Sequence, residues 1–135
     1  MRKLTLLLTT LVFSLTMMFS STSYAEWTKV GENTDGDTYY VDFERIRKVG
    51  GYVYFWYLNN YLKPIGRGNL SSKIYKQGDC KLFRNKILSG SFYNEPMGRG
   101  TGETLPIPEK YKGWNYPAPN STGEEGLKRV CKYAN

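Results

Sequence analysis

Residues 51–61 read GYVYFWYLNNY, the densest apolar and aromatic run downstream of the N-terminal segment. Its length and its β-branched and aromatic content predict a strand. Side chains alternate along a strand, so Tyr52, Tyr54, Trp56 and Leu58 fall on one face and Val53, Phe55 and Tyr57 on the other. A strand wet on one side alternates apolar with polar residues. This one does not, which predicts cover on both faces, by the rest of the domain or by a partner. Core packing is the ordinary reading of such a run; an exposed binding patch is the alternative.

The first 25 residues have the three parts of a secretory signal. Arg2 and Lys3 form the basic start, Leu4 to Phe19 the apolar stretch, and Ser23-Tyr24-Ala25 the small-x-small cleavage site. The apolar stretch has 16 residues, five of them Thr or Ser. A spanning helix needs about 20 predominantly apolar residues. Cleavage, and no stable membrane insertion afterwards, is therefore expected. No cysteine near the cleavage point offers a lipid-attachment site. Removing 25 of the 135 residues leaves 110, a single domain beginning at Glu26. Arg2 and Lys3 leave with the signal, so 17 basic residues stand against 12 acidic ones, a net charge of +5. That balance favours acidic surfaces in a salt-sensitive way. Aromatic residues beside cations would also suit nucleic acid, but export argues against that partner.

There is no histidine. The commonest general base, the usual metal ligand and the ordinary Ser-His or Cys-His pair are all missing. The two cysteines, Cys80 and Cys131, sit in an exported chain without Cys-x-x-Cys spacing, which predicts a bridge rather than a redox pair. Closing a loop of about 50 residues stabilises a fold by about 4 kcal/mol on the chain-entropy model.

Around the central strand the chain punctuates itself. Trp27 to Val30 is a first strand, Gly31 to Asp37 a hairpin loop, and Thr38 to Asp42 a second strand pairing back on the first. Asn33, Asp35, Asp37 and Glu44 match positions 1, 3, 5 and 12 of a calcium loop, but Thr38 replaces the required glycine and the flanks read as strands. Arg45 to Val49 alternates basic with apolar residues and leads into a Gly50-Gly51 turn. Pro64, Gly66 and Gly68 predict a surface loop from Leu62 to Asn69 with Arg67 near its tip. Ser71 to Gln77 resumes a strand, Gly78-Asp79 reads as a turn or bulge, and Cys80 to Phe83 with Lys86 to Tyr93 as one long or two short strands. From Asn94 to Asn120 recurrent Pro and Gly predict a long loop, in which Gly98 to Gly102 is read as a flexible turn and not an anion cradle.

Ser121-Thr122-Gly123-Glu124 is a capping box opening the last element. Glu124 and Glu125 at its start, and Lys128, Arg129 and Lys132 toward its end, suit a helix dipole. Leu127, Val130, Cys131 and Ala134 form one apolar stripe carrying the cysteine. The fold class is thus α+β: an antiparallel meander sheet of about six strands with one C-terminal helix.

Trp27, Tyr40-Val41-Asp42, Val53-x-x-Trp56 with Tyr61, Ser72-Lys73, Asp79-Cys80 with Arg84, and Leu127 with Cys131 fall in an order and spacing that resembles the surface-adhesin protein E family. The resemblance covers nearly all of the chain after the signal. It implies a sheet of about six antiparallel strands with the helix tied to one face by the Cys80–Cys131 disulfide. It also implies a protein partner, from the extracellular matrix or the cell envelope.

Two functions follow as expectations. The first is a non-enzymatic protein-binding domain of the periplasm or cell surface, with Arg67, Arg99, Tyr54 and Trp56 as partner contacts and no cofactor. A homodimer is compatible with it. The second is a periplasmic small-molecule or glycan-binding accessory domain that uses the sheet face away from the helix as an aromatic platform. An enzyme would need carboxylates such as Asp42, Glu44 or Asp79 in one cleft, and their spacing singles out none.

Overall fold

In the computed structural model, which describes residues 25–135, the run opened at Gly51 becomes the longest strand of a seven-stranded antiparallel sheet. The signal segment read at residues 1–25 lies outside the described residues, apart from Ala25. Strands β1 (Thr28–Glu32), β2 (Thr38–Val41), β3 (Arg47–Val49), β4 (Tyr52–Ile65), β5 (Asn69–Asp79), β6 (Arg84–Tyr93) and β7 (Gly102–Thr104) precede one helix, α1 (Thr122–Ala134). Sheet order is β1-β2-β4-β5-β6-β7, with β3 also on β4. Strands β2 and β3 share one edge of β4: Val41 stands opposite Tyr57, and Arg47 opposite Tyr54. The 3₁₀ turn Phe43–Arg45 between them carries the chain across the gap.

Alternation on β4 sorts the molecule into two faces. Val53, Phe55 and Tyr57 are buried with Val30 and Val41 beneath Leu127, Val130 and Cys131 of α1. Ser121 Oγ accepts the Glu124 amide at 3.1 Å, which starts the helix as the capping box requires. Glu124 Oε1 reaches one residue further back, to the Asn120 amide at 3.2 Å, because the Ser121 amide is already given to Ala118. The Cys80–Cys131 disulfide, with Cα atoms 5.6 Å apart, ties α1 to the turn between β5 and β6.

Two glycines let the helix sit close. A Cβ at Gly78 would lie 2.8 Å from Val53 Cγ2 and 3.1 Å from Leu127 Cδ1. One at Gly126 would lie 2.7 Å from Tyr57 Cε2. Side chains there would lever α1 off the sheet.

The structure corrects four local expectations. Strand β4 does not stop at Leu62 but runs through Pro64. Its register with β5 slips between Asn60 and Ile65, and β2 stops pairing at Asn60, so Pro64 forfeits no ladder bond. Gly78 and Asp79 belong to β5, paired with Asn85 and Arg84, because Gly78 is needed for helix approach and not for a turn. Residues Cys80 to Phe83 are that turn and not a strand. Residues 94–120 hold two 3₁₀ turns and β7, whose three residues pair with Ser91 to Tyr93. A three-residue strand is too short to show a period.

Candidate functional site

The face of the sheet opposite α1 carries Tyr52, Tyr54, Trp56 and Leu58 of β4. The register places Gln77, Tyr75, Lys73 and Ser71 of β5, and Lys86, Ser89 and Ser91 of β6, beside them on the same face. Tyr75 packs against Trp56 with ring centroids 4.7 Å apart and stacks on Tyr54 at 6.3 Å. All three rings remain partly exposed. Each therefore has an apolar body held in place and a surface left to touch something else.

Both ends of this face are roofed by the segment after β6. At one end Met97 and Gly98 give their amides to Asn60 Oδ1 and Ser71 Oγ, each at 2.8 Å, while Ser71 Oγ donates to Glu95 O. Gly98 rests on Lys73 and Leu58, and Leu58 is fully buried as a result. Met97 and Gly98 both adopt left-handed φ, near 61° and 69°. At the other end Trp114 stacks on Tyr52 at 5.5 Å, held there by the paired backbones of Asn85 and Asn115. Arg84 and Lys86 lie over the Trp114 ring at 4.4 and 4.7 Å. The expectation of full cover therefore holds at the ends and not in the middle.

The charges on this face are not balanced. Asp79 is buried and accepts the Lys81 and Leu82 amides and Arg84 Nε at 3.0 Å. The Leu82 amide, and then the guanidinium, hold its carboxyl below the usual carboxylate range. Asp42 is 1% exposed, with Arg45 Nε 3.3 Å from Oδ2, and its carboxylate oxygens make no hydrogen bond among the described residues. With both acids matched to arginines, Arg47 and Lys73 make no ion pair among the described residues. Burial, and then Arg45, push the Lys73 ammonium's pKa down. Trp27, Trp56, Lys73, Tyr93, Asp42 and Arg45 enclose a recess of about 210 Å³ at this border. Lys73 also lies 4.9 Å above the Tyr93 ring.

Of the four expected contacts, Tyr54 and Trp56 sit at the centre of this surface. Arg99 is exposed just past the Met97–Gly98 turn and lines a cleft with Trp27 and Lys73 that adjoins it. Arg67 is elsewhere, at the β4–β5 hairpin tip between Gly66 and Gly68, in a cleft with Phe92, Glu103 and Leu105. Sequence reasoning missed Tyr75 and Trp114. Tyr75 was accessible from pairing Ser71–Gln77 against β4, whereas Trp114 depends on a loop path that no local pattern dictates. The calcium spacing has a different use: Asn33 Oδ1 accepts the Asp35 and Asp37 amides, and Asp37 Oδ1 accepts the Leu62 amide. These groups close the β1–β2 hairpin and anchor β4 to it.

Together these features define a class: a small antiparallel meander with a disulfide-tied C-terminal helix on one face and a bare aromatic, basic strip on the other. The chain belongs to the surface-adhesin protein E family, whose model matches residues 27–132. Its fold is similar to that of Haemophilus influenzae protein E in crystal form II, with a TM-score of 0.61 and 22% identity over 84% of this chain and 94% of that one. Protein E from non-typeable Haemophilus influenzae gives a TM-score of 0.54 and 20% identity over 86% and 80%. Among curated proteins none matches the chain. Among the described residues no helix is long and apolar enough to cross a membrane.

Proposed function

We propose that this chain is an exported, non-enzymatic protein-binding domain of the cell envelope or surface that engages its partner through the outer sheet face. One observation carries the reading: three packed but partly exposed rings, Tyr54, Trp56 and Tyr75, bordered by cations that make no ion pair among the described residues. Anchored aromatics inside a charged rim are the arrangement in which a few residues dominate protein association. Arg47, Lys73 and Arg99 form the near rim, and Arg67 is a peripheral contact at the hairpin tip. The partner fitting this surface is an acidic protein segment of the matrix or envelope. Membership of a surface-adhesin family supports the same reading.

Purified matrix and envelope proteins, presented to the immobilised domain, test it directly. The expected result is retention that falls at least about tenfold in Tyr54→Ala/Trp56→Ala and weakens as salt is raised. Retention no greater than that of a charge-matched control protein would sink the proposal. A glycan is the second reading, because Trp56 and Tyr75 also present ring faces. Binding of a neutral glycan would be indifferent to salt.

A further inference from the structure

On the opposite face, beside α1 and not beneath it, lies a cavity of about 610 Å³. This is within the range of small-molecule sites, roughly 300–1,000 Å³. Ile74, Ile87 and Phe92 form its floor on β5 and β6, and Leu105 to Pro108 lies across it as a strap. The Leu105 amide donates to Gly90 O at 3.3 Å, fixing the strap to β6. A Cβ at Gly90 would meet Ile74 Cδ1 at 3.1 Å and Ile107 Cδ1 at 3.7 Å, so the glycine keeps this floor open. Leu105 and Tyr111 in its lining are 39% and 52% exposed, so the cavity opens to solvent beside apolar side chains.

The walls hold one charge. Lys76, opposite Ile87 on the floor, is the only charged side chain among the described residues lining the cavity, and no acid lines it. Lys76 makes no ion pair among the described residues. Its ammonium rests 4.2 Å above the Tyr57 ring. Burial there pushes its pKa down to about 8, which is what a cation without an anion undergoes. Thr122 and Gly123, at the positive end of α1, close the same side. A largely apolar chamber whose one charge is an ammonium, with the neutral polar groups of Tyr39, Asn59, Tyr61 and Ser72 also in its lining, complements a molecule with one negative head and a hydrocarbon body. A dianion would leave a charge uncompensated in it.

We propose that this cavity is a binding site for an aliphatic monocarboxylate, with the carboxylate on Lys76 and the hydrocarbon against Ile74, Ile87, Phe92 and the Leu105–Ile107 strap. The site is on the other side of the sheet from the aromatic strip, so it stands or falls separately from protein binding.

Calorimetric titration of the wild-type protein with decanoate, decanol and acetate tests the two halves of the match. Decanoate is expected to bind with one site per chain, decanol at least about tenfold more weakly, and acetate not measurably, since a charge-assisted hydrogen bond is worth at least about a factor of ten. Lys76→Met should bring decanoate to the level of decanol. Gly90→Leu, which fills the floor, should abolish both. Tyr54→Ala/Trp56→Ala should leave decanoate binding intact, which separates the cavity from adsorption to the basic strip. Equal binding of decanoate and decanol by the wild type, or no decanoate binding at all, would overturn the proposal without recourse to any variant.

Discussion

Val53, Phe55 and Tyr57 are only 1–4% exposed under α1, whereas their neighbours Tyr54 and Trp56 on the same strand keep part of each ring in solvent. Both sets are large and apolar. What separates them is cover: a helix of 13 residues roofs one face, and two short loop contacts roof only the ends of the other. Burial energetics therefore belong mainly to the helix face, and the outer face is free to be selected for contact.

The comparison breaks most visibly under truncation. Phe55→Ala is expected to lose about 3–5 kcal/mol, as large-to-small changes in a packed core do. Tyr54→Ala, one residue away, should lose about 1 kcal/mol, the scale of a single aromatic pair. Urea unfolding of both variants measures the difference. Similar losses would mean the outer rings are core after all.

The disulfide belongs to the helix face alone, so its removal should act there. Replacing Cys80 and Cys131 by serine is expected to lose about 4 kcal/mol, from the loop it closes. Hydrogen exchange should rise first in α1 and last in the β4–β5 ladder. Uniform loss of protection would show that α1 and the sheet do not separate.

Lysines give a third contrast. Burial lowers the Lys76 pKa to about 8, from 10.5. Below pH 8 the ammonium is charged in both folded and unfolded chains and the full penalty is present. Between 8 and 10.5 the unfolded chain binds the proton and the folded one does not, so stability rises with pH. Lys76→Met should therefore stabilise the unliganded protein at pH 7 by about 1–3 kcal/mol, and the gain should vanish above pH 10.5. Tyrosine ionisation affects both proteins and cancels in the difference. Lys73→Met on the outer face should change stability by only about 0.5 kcal/mol.

The sequence reached the meander, the helix and its cap because each rests on local chemistry: the β-branched and aromatic content of 52–58, the Gly50-Gly51 turn, Ser121 with Glu124. Family resemblance and compartment reached the Cys80–Cys131 bridge, which the structure contains. What escaped depends on distant partners. Pro64 fits a strand only because its neighbours on both sides have stopped pairing. Trp114 reaches Tyr52 through a loop path, and Lys76 looks like any lysine until Ile107 and α1 close around it. Half of the outer face, Tyr54 and Trp56, was visible in the period-two pattern, while the cations around it needed the register.

The two glycines of α1 give the most specific contrast, because one of them reverses a rule. Alanine in place of glycine inside a helix ordinarily gains about 1 kcal/mol. Gly123 and Gly126 lie three residues apart in α1, one with only Ser121 Oγ nearby at 3.8 Å, the other with the Tyr57 ring 2.7 Å from where its Cβ would be. That ring cannot yield readily: Tyr57 is 4% exposed and its hydroxyl donates to Thr122 O at 3.0 Å. Gly123→Ala is expected to stabilise by about 0.5–1 kcal/mol and Gly126→Ala to destabilise by about 1–2 kcal/mol. Thermal unfolding of the two variants reads opposite signs if α1 is seated on Tyr57 as described. A gain from Gly126→Ala would mean that the helix stands further off the sheet.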